Sequence, residues 1–259
     1  MTTSPAPKTI ANRIGKKLVK ETKRLRSQMW TSDAHVVSHG GLLWLLNRKN
    51  RVDRKVICGG YEQEQVSYLF SRMAEGCDCF LDIGANFGLY SVQAAAKNLA
   101  SAIHAFEPDP RNYAQLQANL YLNNFTTRIQ AHPLVLSDSA RQVEFEMYPT
   151  SSTGQSRVAT GAGDAQAVPT TTLPARTLDS TLPMQGKRIF MKIDVEGHES
   201  EVLKGAENTL RDNRCFLQIE AWPGHDEALK SHMAAIGYRC VHIINQDHYF
   251  EGGSPAAPL

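Results

Sequence analysis

The chain has 259 residues, 42% of them apolar and 21% charged, with a formal net charge of +2. That length and balance suit a globular chain built as one α/β domain, since two domains would each be small. No apolar run approaches the ~18 residues of a membrane-spanning helix, and the basic N-terminal residues are not followed by an apolar core and cleavage site, so neither a span nor a secretory signal is expected. The five cysteines, Cys58, Cys77, Cys79, Cys215 and Cys240, are odd in number and match no disulfide scaffold or zinc site, so free thiols and a cytoplasmic location are expected.

The charge is uneven. Residues 1–55 hold 13 Lys and Arg against three acids, a net of +10, whereas residues 56–259 hold 15 against 23, a net of −8. The basic charge therefore belongs to an N-terminal extension, residues 1–55, and the remainder, 56–259, is expected to be the functional domain. From Lys8 to Met29 the apolar residues Ile10, Ile14, Leu18, Leu25 and Met29 recur at helical spacing among Arg and Lys, which predicts a basic amphipathic helix. Docking of its apolar stripe with a wetted basic face is preferred to peripheral contact with an anionic membrane, and nucleic acid is not expected as a partner.

From residue 80 the pattern alternates. Phe80 to Ile83 reads as a strand, Gly84 to Gly88 as a glycine turn, and 89–97 as a helix. Ala102 to Phe106 reads as the second strand and Pro110 to Asn123 as a helix. Ile129 to Leu136 reads as the third strand, and Val143 to Met147 as a further one. Residues 149–167, almost without large apolar side chains, read as an exposed loop long enough to cover a site. Ile189 to Ile193 is the fourth main strand, followed by a helix over 198–211, the strand Phe216 to Ile219 and a helix over 226–236. Tyr238 to Ile244 and His248 to Phe250 form a closing hairpin. Such alternation predicts a doubly wound, mostly parallel sheet with helices on both faces and one antiparallel strand near the C-terminus.

Three constellations carry chemistry. Asp82-Ile83-Gly84-Ala85-Asn86-Phe87-Gly88 joins a strand to a helix, where glycines allow close approach of a ligand and the helix N-terminus adds its N–H groups. A dinucleotide site would show G-x-G-x-x-G, and this turn has G-x-N-x-G, which suits a ligand with an amino-acid end and a sulfonium, with Asp82 near the ammonium. Glu107 ends the second strand 23 residues after Gly84, a spacing at which an acid reaches the two hydroxyls of a ribose. Asp194, Glu196 and His198 follow the fourth strand, and Glu220 ends the fifth. These four are expected to converge at the carboxyl edge of the sheet, where they would take a proton from a hydroxyl or let Asp194 and Glu220 hold Mg²⁺. Glu199 and Glu201, in the first turn of the following helix, read as helix-capping acids. Lys192 is expected to face a helix or a neighbouring acid, and Trp222 either lines the crevice or packs.

On Phe80 to Gly88, Phe106-Glu107-Pro108, Lys192-Ile193-Asp194-Val195-Glu196-Gly197 with Glu201 to Gly205, Gln218-Ile219-Glu220 and, upstream, Gly60-Tyr61-Glu62, the chain resembles the FkbM family of methyltransferases over roughly residues 55–245. The resemblance implies the class I methyltransferase fold, a Rossmann-like sheet of seven strands, and S-adenosylmethionine as methyl donor. By position it implies that Asp82, Gly84, Ala85, Asn86 and Gly88 hold the donor's amino-acid part, Glu107 its ribose, and Ser137 and Asp138 lie near its adenine. Asp194, Glu196 and Glu220 would face the acceptor, a hydroxyl on a sugar, glycolipid, polysaccharide or secondary metabolite. A nitrogen acceptor, or a membrane- or nucleic-acid-binding module using the basic N-terminus, are the alternatives.

Overall fold

A computed structural model describes residues 33–159, 168–222 and 224–253. The basic helix expected over Lys8 to Met29 lies outside the described residues. The chain divides into two compact units, Met1–Tyr61 and Glu62–Leu259, a few residues beyond the boundary suggested by charge.

In the first unit, β1 (Ala34–His39) and β2 (Leu42–Asn47) form an antiparallel hairpin with Val36 opposite Leu45. Gly40 and Gly41, both at positive φ, make its two-residue turn, a conformation that matches the twist of the flanking strands. A short helix, α1 (Arg51–Ile57), follows. Its cap is Asn50, whose side chain accepts from the Val52 and Asp53 amides. No strand was expected here, although a Gly-Gly pair between two apolar runs is a hairpin signal.

The second unit begins with α2 (Gln63–Met73), which buries Val66, Leu69, Phe70 and Met73 along one face. Its main sheet uses β3 (Cys79–Ile83), β4 (Ala102–Phe106), β5 (Ile129–His132), β10 (Arg188–Ile193), β11 (Arg214–Glu220), β12 (Arg239–Ile244) and β13 (Asp247–Gly253). Their order is β12-β13-β11-β10-β3-β4-β5. Every neighbouring pair is parallel except the two that include β13, so β13 is the sheet's single antiparallel strand. β3 is buried at all five positions, as a strand covered on both faces must be. The order reverses between β3 and β10, and open α/β sheets bind ligands at the carboxyl ends of the strands flanking such a point. The helices between these strands are α3 (Leu89–Ala96), α4 (Pro110–Leu122), α5 (Leu178–Thr181), α6 (Glu199–Lys204), α7 (Glu207–Asp212) and α8 (Asp226–Ala235). Among the described residues, no helix is long and apolar enough to cross a membrane.

Several expectations change. The strand expected over Ile129 to Leu136 is two: β5 stays in the main sheet, and beyond Pro133 the chain enters β6 (Val135–Leu136) in a second sheet of order β6-β9-β7-β8. That sheet contains β7 (Arg141–Glu146), β8 (Arg157–Val158) and β9 (Thr170–Arg176). β9 was not expected, and Pro174 lies within it, opposite Gln142. A proline argues against a ladder position, and the β-branched run Thr170-Thr171-Thr172 prevails over it. The exposed loop expected over 149–167 contains a 3₁₀ turn (Thr150–Gln155) and β8, paired to β7, with 160–167 outside the described residues. The helix expected over 198–211 breaks into α6 and α7 at Gly205. A Cβ there would lie 2.0 Å from the Ser137 carbonyl oxygen, so this backbone passes directly over another.

Candidate active site at the carboxyl edge of the sheet

The turn after β3 is held on the end of β4. Gly84 and Ala85 both donate their amides to the Phe106 carbonyl, at 3.0 and 2.9 Å. Gly84 has φ +79°, and a Cβ on it would sit 1.8 Å from the Asp194 carbonyl oxygen, so glycine is required by the approach of β10's end as much as by any ligand. Asn86 is left-handed (φ 53°), which aims its amide at Glu107 Oε2, 2.7 Å away. Asp82 is buried: its Oδ2 accepts from the Ser91 amide (3.0 Å) and hydroxyl (2.6 Å), pinning α3, while its Oδ1 has no hydrogen-bond partner. Burial raises its pKa against the pull of Lys192 and the Ser91 bonds.

Glu107 lies against that turn, as the spacing predicts. Its other oxygen accepts from the Asp109 amide at 2.9 Å and from Asn112 Nδ2 at 3.4 Å. Burial still pushes its carboxyl up to about 7. Ser137 and Asp138 follow β6, in the second sheet. Ser137 is wholly buried, its hydroxyl 3.0 Å from His198 Nε2 and 3.1 Å from Asp138 Oδ1, and Asp138 pairs with Arg141.

The four residues expected to converge at the ends of β10 and β11 separate into two groups. Asp194, Glu196 and Glu220 come together, one carboxylate oxygen of each lying within 4.8 Å of the others. His198, expected with them, instead faces Ser137, with Nδ1 3.7 Å from Glu201 Oε2. The reason is the turn before α6: Glu196 (φ 56°) and Gly197 (φ 99°) are both left-handed, which turns the chain so that Glu196 and His198 point to different sides. Glu199, expected to cap the helix, accepts instead from the Gly197 and Val195 amides of the turn ahead of it, at 3.1 and 3.3 Å, and α6 has no side-chain cap.

Lys192 joins the two halves of the edge. Its Nζ donates to the Gly84 carbonyl (3.0 Å) and to Asp194 Oδ2 (2.9 Å), and lies 5.6 Å from the centre of the Tyr90 ring. Burial opposes its charge, but Asp194, Asp82 and Glu62 outweigh burial and hold the ammonium protonated. Asp194 is correspondingly held below the ordinary carboxylate range, despite its burial, by Lys192 and by a hydrogen bond from Glu220. Glu220 is pushed well up by burial, by Asp194's charge and by donating to it, so the pair shares one proton with the negative charge on Asp194. Glu196 is raised to about 7 by burial, Asp194 and Glu199. Behind Lys192, Gln218 Nε2 donates to Tyr90 Oη (3.1 Å) and Asp247 Oδ1 (2.9 Å), and Gln65 Nε2 reaches Asp247 Oδ2 (3.3 Å). Gln65, Tyr90 and Asp247 were not singled out in the sequence. Their link to the site is made by strands and helices far apart in the chain.

A family model described as "Methyltransferase FkbM domain" matches residues 82–240. The hexuronic acid methyltransferase AglP of Haloferax volcanii is 29% identical over 164 residues, 63% of this chain and 64% of that protein. The methyltransferase sdnD of Sordaria araneosa is 30% identical over 172 residues, 55% of this chain and 65% of that one. The chain thus spans just under two thirds of the length of these curated relatives. Among solved structures, a ribosomal protein L11 methylase from Lactobacillus delbrueckii subsp. bulgaricus is similar at 11% identity, covering 76% of this chain and 81% of that one with a TM-score of 0.47.

Proposed function

The chain belongs to the FkbM methyltransferase family, and from that premise we propose that it transfers the methyl group of S-adenosylmethionine to a hydroxyl of a sugar, a glycolipid or polysaccharide, or a secondary metabolite. The observation that carries this reading is the Lys192 bridge, which puts the glycine turn and the acid trio on one crevice edge, with Nζ 3.0 Å from Gly84 O and 2.9 Å from Asp194 Oδ2. The relative AglP, by its name a hexuronic acid methyltransferase, supports a sugar acceptor.

The donor-side residues fit the ligand. Asp82 Oδ1 is a buried acceptor without a partner, of the kind an ammonium would satisfy. Glu107 lies at the strand end against the turn, and on this reading it meets the ribose hydroxyls. Asn86 and Gly88 shape the turn ahead of α3, whose N-cap residue Gly88 has no side chain to offer its first N–H groups, the Ser91 amide being taken by Asp82. When bound, S-adenosylmethionine supplies an electrophilic methyl group on a sulfonium, so the chain's task is to align the acceptor and remove its proton. Asp194, kept ionised by Lys192, accepts that proton and becomes neutral, while Glu220, already protonated, donates to the Asp194 carboxylate and holds it in place beforehand.

A hard cation on Asp194 and Glu220 fits less well. Lys192 Nζ already lies 2.9 Å from Asp194 Oδ2, so a positive charge is already seated on one of the two carboxylates a metal would need. No step is derived through a metal. Mass spectrometry of the product formed on an acceptor bearing both groups, such as glucosamine, tests the reaction. Methyl on oxygen is expected, and methyl on nitrogen would overturn the hydroxyl assignment.

A further inference from the structure

The segment from Tyr148 to Val158 has no part in the roles above, yet it is tied to both halves of the edge. Its Thr153 carbonyl accepts from Asn112 Nδ2 at 3.3 Å, and the same nitrogen reaches Glu107 Oε1. Arg111, paired to Asp109 at 2.6 Å, also reaches Ser156 Oγ at 3.3 Å. At the far end, Arg157 donates through Nε to Glu146 at 2.9 Å, and its guanidinium lies 5.3 Å from the Tyr148 ring centre and 5.7 Å from that of Trp222. Arg157 is close enough to the acid trio for its charge to act on Glu196. Trp222 stands two residues beyond Glu220 and remains 37% exposed.

A guanidinium stacked on two rings fixes both, which gives the acceptor side a rigid aromatic surface. The charges around it are paired within the chain: Arg157 with Glu146, Lys192 with Asp194. What remains for a ligand is an indole and carboxyl groups able to accept and donate hydrogen bonds. That combination matches a ring with an apolar C–H face and a rim of hydroxyls, and among the described residues the two cations named here are already paired with Glu146 and Asp194, which disfavours an anionic ring.

We propose that Tyr148, Arg157 and Trp222 form the wall of the acceptor site, and that the acceptor is a neutral pyranose laid on Trp222 with its reacting hydroxyl toward Asp194. This rests on the hydroxyl-methylation reading above. Trp222 then sets specificity, and Arg157 holds it in place. The 148–158 segment makes wall and donor site one structure, through Asn112 and Glu107.

The test is label transfer from methyl-tritiated S-adenosylmethionine by the full chain to three sets of acceptors: methyl glucoside, galactoside and mannoside; methyl glucuronide; and the non-sugar alcohols cyclohexanol and benzyl alcohol. Transfer to the neutral pyranosides above the other two sets is expected. Trp222→Ala should raise their KM about tenfold, with kcat and calorimetric affinity for S-adenosylhomocysteine within about twofold, and Trp222→Tyr should recover most of the loss. Preference for glucuronide or the non-sugar alcohols, or an unchanged KM in Trp222→Ala, would overturn the wall while leaving hydroxyl methylation standing. Transfer to no hydroxyl by protein that binds S-adenosylhomocysteine would overturn both.

Discussion

The two halves of the carboxyl edge are built differently. On the β3–β4 side the backbone does the positioning: two glycine-turn amides on Phe106 O, the Asn86 amide on Glu107, and a Gly84 that tolerates no Cβ beside Asp194. On the β10–β11 side charge does it: a buried Lys192 ionises Asp194, which in turn keeps the proton on Glu220. A donor of fixed shape can be met by a fixed turn, whereas an acceptor that must lose a proton needs groups whose protonation is set by their neighbours.

The comparison breaks most readily at Gly84. Gly84→Ala places a Cβ 1.8 Å from a backbone oxygen at a φ of +79°. It should cost roughly 3 kcal/mol or more and abolish donor binding, seen as a large fall in Tm and a flat calorimetric trace. Asp194→Asn should leave donor affinity within about threefold but lower turnover by roughly 10²–10⁴. Full turnover with normal donor binding would remove Asp194 from the chemistry. Because the asparagine leaves Lys192 with Asp82 as its nearest acid, a lower Tm is expected alongside, and Asp194→Glu should recover more of the Tm than of the rate.

A smaller effect, common to both halves, is read by pH. Glu107 and Glu196 each hold their proton to about 7 in the folded chain, against an ordinary 4.5. The folded state therefore binds more protons than the unfolded one between those values. The stability these groups contribute is complete below about 4.5 and is lost as pH rises through about 7. Urea midpoints at pH 5 and pH 8 should show that fall, and Glu107→Gln and Glu196→Gln should each reduce it. An unaltered pH dependence in both variants would contradict the burial of these carboxyls. Smallest of all is His198→Ala, which removes a hydrogen bond to Ser137 worth about 1 kcal/mol and should change turnover less than about threefold. A loss as large as that of Asp194→Asn would return His198 to the acid group.

The sequence disclosed what the backbone does. Gly84, Asn86, Gly88 and the spacing to Glu107 are local patterns, and so is the closing hairpin, whose turn at Asn245 is left-handed (φ 55°). The acids at the ends of β10 and β11 were also legible, because a strand end in a parallel sheet has a known place. What escaped depends on which side a chain turns or on partners far apart. His198 is turned away from Glu196 by the left-handed backbone at Glu196 and Gly197, and β9 is hidden by Pro174. Lys192, expected to face a helix or a neighbouring acid, does face acids, Asp194 by contact and Asp82 opposite it on β3, but which acids they are depends on the pairing of β3 with β10.

The central claim is that the glycine turn and Glu107 form a site for S-adenosylmethionine. It is tested most directly by calorimetric titration of the full chain with S-adenosylmethionine and, separately, with NAD, each repeated on Glu107→Ala. Micromolar binding of S-adenosylmethionine, lost in the variant, with no binding of NAD, is the predicted result. Binding of NAD, or of S-adenosylmethionine with equal affinity in Glu107→Ala, would contradict it.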